Sequence, residues 1–293
     1  MEEIFDQISR LGIWKNDIEI NPIDGGITNK NFIVTDGATK FFVRVGKDIP
    51  EHGIMRFNEL AASRAASEAG ISPAVVHAGS GIMVLQHIEA KTLTAEDVRN
   101  PQNLPKIVDL IQRTHREIPA CFKGPALVFW VFQVLRDYAR TLREGGSEWT
   151  PRLAGFMDIA AELEEHVGPI SLVFGHNDLL PANFMDDGSR LWLIDWDYAG
   201  FNSALFDLGG LASNNGFSEA EENALLERYY GGTVDVGLGK KYSAMKCASL
   251  LRETMWSMVS EIHSDLDFDY AGYTRENLDS FEKALQTHQQ QYS

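Results

Sequence analysis

Two apolar runs around a turn open the readable pattern. In "FIVTDGATKFFVRVG", β-branched and aromatic residues flank Asp36-Gly37, which marks a hairpin inside a stretch, 17–46, that reads as strands. Strand alternation puts Phe42 and Arg44 on one face, and Phe41, Val43 and Val45 on the other. The alanine-rich segment from Ile54 to Ala69 then reads as a helix stopped at Gly70. Residues 74–88 supply two more apolar runs around Gly79-Ser80-Gly81. Sheet, helix and sheet make an α+β unit of roughly 90 residues.

Beyond it the period changes. Leu104, Ile107, Val108 and Ile111 recur at helical spacing between Pro101 and a break near Pro119, and helical patterns return at 128–143, 151–167, 219–230, 240–262 and 273–290. The exception is 171–200, where short apolar runs alternate with polar loops. The pattern predicts a small sheet-rich lobe over 1–88 and a larger, mainly helical lobe over 89–293, with a loop-rich cassette where they join.

Composition narrows the chemistry. The 293 residues are 44% hydrophobic, enough for a full core, and carry a formal charge of −16. That charge argues against a nucleic-acid binder, which needs clustered Lys and Arg. An acidic surface serves solubility, or favours a cationic or metal-bridged ligand. Cys121 and Cys247 stand apart from any Cys/His cluster, which argues against structural zinc and for a reducing compartment. No run approaches the ~20 apolar residues of a membrane span, and the acidic N-terminal stretch lacks signal-peptide character. The expectation is a soluble, cytoplasmic protein of undetermined oligomeric state.

The cassette holds the candidate chemistry. His176-Asn177-Asp178-Leu179-Leu180-Pro181-Ala182-Asn183 is followed, twelve residues after Asn183, by Asp195 in "LIDWDYAG". Phosphoryl transfer from ATP needs a group at the acceptor hydroxyl, hard oxygen ligands for Mg²⁺, and donors on the phosphates. Asp178 and Asn183, five apart on one tight loop, suit the first two, and Asp195 at the end of an apolar run adds a second ligand. Taken singly, His176 reads equally as a packed core histidine, and the acids as turn caps. Even within a catalytic loop His176 reads as scaffold, and Asp207 in "ALFDLGG" as a holder of that loop. Upstream, Gly25 and Gly26 in "DGGITNKNF" would let backbone approach phosphates, with Thr28 and Asn29 as donors. Arg44 is the basic candidate, with Glu59 of the next helix as its ion-pair partner; an exposed pair, or none, is the alternative. "MVLQHI", ending in Gln86, His87 and Ile88, fits an adenine-contacting connection between the lobes.

Together these segments resemble the choline/ethanolamine kinase branch of the aminoglycoside-phosphotransferase-like superfamily, over nearly the whole chain. "HNDLLPANF" and "LIDWDYAG" resemble its two catalytic motifs; "GGITNKNF", "VRV" and "NELAASRAASEAGISP" are supportive. The resemblance implies a protein-kinase-like two-lobe fold and an ATP- and Mg²⁺-dependent kinase for the hydroxyl of a small amino alcohol, choline or ethanolamine. It implies Asp178 as catalytic base, Asn183 and Asp195 as metal ligands, Arg44 with Glu59 on the phosphates, and Asp197 near the acceptor or a second metal. The alternatives are a kinase for another small alcohol (aminoglycoside, thiamine, homoserine or sugar) or a regulatory pseudokinase.

The C-terminal "LLRETMWSMVSEIHSDLDFDYAGYTRENLDSF" resembles the family's substrate-pocket region, with Trp256, Tyr270 and Tyr273 at aromatic positions that surround an ammonium head. Glu253 stands where eukaryotic relatives carry the first Trp of Trp-x-x-Trp. Three residues from Trp256 on one helical face, it suits a primary amine at least as well as a quaternary one. Trp256 also reads as core, beside Met255, Met258 and Val259. Asp265, Asp267, Asp269 and Glu276 have EF-hand spacing, but Tyr270 replaces the required Gly, so solvated acids and helix capping are expected there.

Overall fold

A computed structural model describes residues 1–23, 29–264 and 266–292. Strands β1 (Ile18–Ile23), β2 (Lys30–Asp36), β3 (Thr39–Val45), β4 (Val75–Gly79) and β5 (Ile82–Gln86) form an antiparallel sheet in the order β1-β2-β3-β5-β4. The Asp36↔Thr39 pair leaves Gly37 and Ala38 as the two-residue turn of the β2–β3 hairpin, and Gly37 has the positive φ, 61°, that such a turn favours. One sheet face buries Phe32, Val34, Val43 and Val84 against Ile4, Phe5 and Ile8 of helix α1 (Glu2–Ser9). The other face presents Ile33, Phe42, Arg44, Met83 and Leu85 to a cleft. The alternation along β3 sorts its side chains as the sequence predicts. Helix α2 (Arg56–Glu68) follows β3, and the chain turns at Gly70, φ 69°.

The remainder is mainly helical: α3 (Ala95–Arg99), α4 (Leu104–Cys121), α5 (Val131–Glu144), α6 (Leu153–Val167), α7 (Ala204–Asn215), α8 (Glu219–Tyr230), α9 (Val236–His263) and α10 (Tyr270–Tyr292). Among them run short strands β6 (Lys91–Thr92), β7 (Leu172–Gly175), β8 (Phe184–Asp186), β9 (Leu191–Leu193) and β10 (Gly200–Ser203). Helix α9 is the axis, packing against α5, α6, α7 and α10 around a core that includes Leu208, Leu211, Met245, Leu251 and Met258.

Two features depart from the sequence pattern. Pro119 does not end α4, which runs on to Cys121, because a proline in the last turn removes only one late hydrogen bond. Helix α7 was hidden by Gly209 and Gly210, which weaken a helical reading. A Cβ on Gly209 would stand 3.0 Å from the Lys246 Cα, so glycine is what lets α7 lie against α9. The architecture is the protein-kinase-like arrangement of an antiparallel sheet joined to a mostly helical remainder. No helix among the described residues is long and apolar enough to cross a membrane.

Candidate active site

β7 pairs with β10 and delivers the chain into residues 176–183. The loop is held from below by Asp207 of α7, which accepts from the His176 N–H at 2.8 Å and the Asn177 N–H at 2.7 Å. His115 Nε2 lies 2.9 Å from the same carboxylate, and burial, which alone would raise the Asp207 carboxyl, is outweighed by His115 and these donors. Asp207 is therefore the loop's holder. Asn177 takes φ 65° and donates its amide to Tyr198 O and Gly200 O at 2.9 and 3.2 Å. A Cβ on Gly175 would come 2.7 Å from Asn177 Oδ1, so the close approach requires glycine. His176 is fully buried, donates Nε2–H to Ile194 O at 2.9 Å and packs 4.8 Å from the Trp196 ring. Burial depresses its pKa, which keeps it a neutral scaffold.

The same loop orients the amide of Asn183. Its Nδ2 donates to Asp178 O at 2.9 Å, leaving Oδ1 as the atom available to a cation. Asn183 O also accepts from Ile194 N–H at 3.0 Å, which joins the two halves of the cassette through the β8–β9 hairpin. One residue on, Asp195 takes φ 69°, a left-handed conformation that costs a non-glycine residue on the order of 1 kcal/mol and that clusters at functional sites.

The Asp178 side chain accepts no hydrogen bond among the described residues. Burial, and then the charges of Glu253, Asp195 and Asp197 against the opposing Arg252, push its carboxyl up to about 8. A carboxylate without donors in a partly closed pocket is a base seeking a proton.

Arg44 joins this cassette to the sheet. Its guanidinium reaches Glu59 at 2.5 Å, Asp195 at 2.8 Å and Asp197 at 3.1 Å. Arg56, one turn before Glu59, bridges Glu59 and Asp197 at 2.6 and 2.7 Å. Burial works against the Arg44 charge, but three carboxylates hold it firmly protonated. Burial would likewise raise Asp195, and Arg44 overcomes it, by charge and by hydrogen bond, to hold that carboxyl below its ordinary range. Asp197 is pushed upward, first by burial and then by Asp195. Asn29 donates to Asp197 at 3.2 Å.

Above the network, a cavity of about 350 Å³ runs between the sheet and the cassette. Phe42, Met83, Leu85 and Trp196 wall it, Arg44 and Asp195 stand at its polar end, and Gln86, His87 and Ile88 lie along its edge. An apolar slot ending in a cation and a carboxylate fits a flat base with a polyphosphate tail. Gly25, Gly26 and Thr28 lie outside the described residues.

On the helical side, α9 and α10 bring Glu253, Trp256, Tyr270 and Tyr273 together. Tyr273 donates to Glu253 at 2.8 Å, and the Trp256 ring centroid lies 6.2 Å from Tyr270 and 6.4 Å from Tyr273. Trp256 is only 6% exposed, and its Nε1–H is taken by Tyr198 OH at 2.8 Å. Of the acidic series after α9, Asp269 caps α10 by accepting from Gly272 N–H, and Asp265 lies outside the described residues.

Sequence reasoning missed Arg56, His52, Tyr198 and Arg252. Arg56 carried a usable signal, since it lies three residues before Glu59 on one helical face. His52 and Arg252 carried none, because only the fold brings them to the rings of Trp256 and Tyr198.

Several known proteins resemble the chain as a whole. The chain is 28% identical over 288 residues to a probable ethanolamine kinase of Arabidopsis thaliana, covering 87% of this chain and 76% of that protein. It is 25% identical over 270 residues to protein LicA of Haemophilus influenzae, covering 89% and 78%. A choline/ethanolamine kinase family protein from Mesorhizobium loti superposes with a TM-score of 0.77 at 25% identity, covering 97% and 94%. With the choline/ethanolamine kinase family model matching residues 20–223, the chain belongs to the choline/ethanolamine kinase family.

Proposed function

We propose that this protein transfers the γ-phosphoryl group of ATP to the hydroxyl of a small amino alcohol of the choline/ethanolamine class. The observation that carries the reading is the meeting of the unpartnered Asp178 carboxylate with the oriented Asn183 amide and with Asp195 under Arg44.

ATP would lie in the cavity between sheet and cassette, its base toward Gln86, His87 and Ile88 and its phosphates toward Arg44 and Asn29. Arg44, fixed by Glu59, spreads positive charge over the phosphates, and Gly25, Gly26 and Thr28 are assigned to the same task from the sequence alone. Asn183 Oδ1 and the Asp195 carboxylate are a hard oxygen pair suited to Mg²⁺, and the guanidinium against Asp195 supports a charged, cation-attracting carboxylate there. Bound there, Mg²⁺ would supply charge neutralisation at the phosphates.

Asp178 receives the acceptor hydroxyl, orients it for in-line attack and takes its proton late. Its raised proton affinity suits that role. Glu253, Trp256, Tyr270 and Tyr273 are assigned to the amine end, and Asp197 to the wall between acceptor and phosphates. Most of the acceleration comes from positioning and charge compensation.

The test is acceptor-dependent ADP release with choline, ethanolamine, their N-methylated intermediates, thiamine, homoserine and an aminoglycoside, in Mg²⁺ and with Asp178→Asn as control. Turnover with an amino alcohol that vanishes in the folded variant supports the reading. Turnover confined to the other alcohols, or retained by Asp178→Asn, overturns it.

A further inference from the structure

The amine end of the site already contains a cation. Arg252 of α9 is 4% exposed and lies with its Cζ 4.3 Å from the Tyr198 ring centroid and 5.7 Å from that of Phe129. Its Nη1 donates to Glu253 at 2.8 Å, and it lines a small polar cavity together with Asp178. Aromatic faces next to carboxylates are the surroundings that bind a quaternary ammonium, whose charge cannot be met by hydrogen bonds. Here the chain's own guanidinium takes that position over Tyr198.

The second ring has a neighbour on one side. His52, from the turn before α2, has its ring centroid 5.0 Å from that of Trp256, tilted by 31°, and its Nε2 is 3.1 Å from Ser260 Oγ. Tyr198 OH takes the Trp256 N–H, so Arg252 lies over the Tyr198 ring while His52 lies against one side of the Trp256 ring. Beside these rings stands a polar group with capacity to spare. The two Glu253 oxygens each accept one hydrogen bond, from Tyr273 and from Arg252, and a carboxylate has lone pairs for more. Only an amine with N–H groups can use them.

We propose that Arg252 sets the acceptor specificity: its guanidinium fills the aromatic and carboxylate position that a quaternary ammonium needs, so the enzyme takes a compact N–H-bearing amine, ethanolamine rather than choline. This rests on the amino-alcohol kinase reading above. Like charge at short range in a desolvated pocket disfavours a second fixed cation. A primary ammonium avoids the conflict by sitting toward Glu253 and Tyr273 as a hydrogen-bond donor.

The experiment is kcat/KM for ethanolamine and for its mono-, di- and trimethylated forms, in the wild type and in Arg252→Leu, Arg252→Met and Arg252→Lys. Efficiency ratios between acceptors do not depend on the fraction of folded enzyme. Wild type is expected to lose efficiency with successive methyl groups, leaving choline about tenfold or more below ethanolamine. Arg252→Leu and Arg252→Met open the Tyr198 face and shrink that discrimination by about tenfold, while Arg252→Lys keeps the charge and retains it. Equal or better use of choline by the wild type overturns the inference. So does a ratio unmoved in both apolar variants, and if neither folds, the wild-type series decides alone. An active wild type that ignores every amino alcohol overturns the kinase reading itself, a result distinct from a preference for choline.

Discussion

Arg44 donates from Nη2 to Asp195 at 2.8 Å, tying the third strand of the sheet to a residue held at φ 69° beyond the β8–β9 hairpin. The contact makes the two halves of the site one electrostatic unit. Glu59, Asp195 and Asp197 supply three negative charges, and Arg44 with Arg56 supplies two positive ones. The excess of one negative charge suits a site that receives a metal cation.

Replacing Arg44 by Met strands buried carboxylates, and removing one partner of such a group costs about 3–5 kcal/mol. Adding Glu59→Leu deletes one of the stranded charges and should recover part of that loss. Urea unfolding of both variants checks this, and both should lack ADP release. A single variant as stable as wild type would mean that Arg56 suffices alone.

Asp207→Ala withdraws the acceptor of the His176 and Asn177 N–H groups and leaves them buried, each at a cost of about 1–3 kcal/mol. Because Asp178 is the next residue, a shift of the loop on the order of 1 Å should lower kcat about 100-fold. Turnover per folded molecule separates the two effects. Unchanged kcat beside a lowered urea midpoint would confine Asp207 to stability.

His52 gives a pH signature. Burial first, then Arg252 and His263, bring its pKa from 6.5 to about 3. Below pH 6.5 the unfolded chain takes up a proton that the folded protein refuses until about pH 3. Stability from this group is therefore complete above pH 6.5 and falls as pH drops toward 3, by up to about 1.4 kcal/mol per pH unit. His52→Phe keeps a ring on Trp256 and should flatten that decline. His288, lowered to about 4, is present in both proteins and cancels in the comparison. Parallel stability–pH curves would show that His52 is not held neutral.

What could be read in advance divides by the distance over which it acts. The β3 alternation, the Gly37 turn and the Asp178–Asn183 spacing are local, and a strand or loop period determines which side chains share a face. Asp207 was readable for the same reason, as an acid shortly after the cassette. Helix α7 was not, because its glycines answer to Lys246 on α9, 37 residues after Gly209. Arg252 and His52 are 200 positions apart and meet around Trp256 only when α9 packs against the turn before α2. No period or motif in either segment encodes that meeting.

Trp256 separates binding from packing. Cutting a 6%-exposed Trp to Ala costs about 3–5 kcal/mol, so stability alone cannot reveal its role. Trp256→Phe keeps an aromatic face beside Tyr270 and Tyr273 and loses only the N–H held by Tyr198. If the ring bounds the acceptor pocket, Trp256→Ala should raise the KM for the amino alcohol about tenfold or more while the KM for ATP moves little. Trp256→Phe should stand between that variant and wild type. The cavity proposed for ATP lies beyond Arg44, lined by Trp196 and not by Trp256, which supports an acceptor-selective change. Equal increases in both KM values would instead make Trp256 a packing residue whose loss loosens the junction of the two lobes.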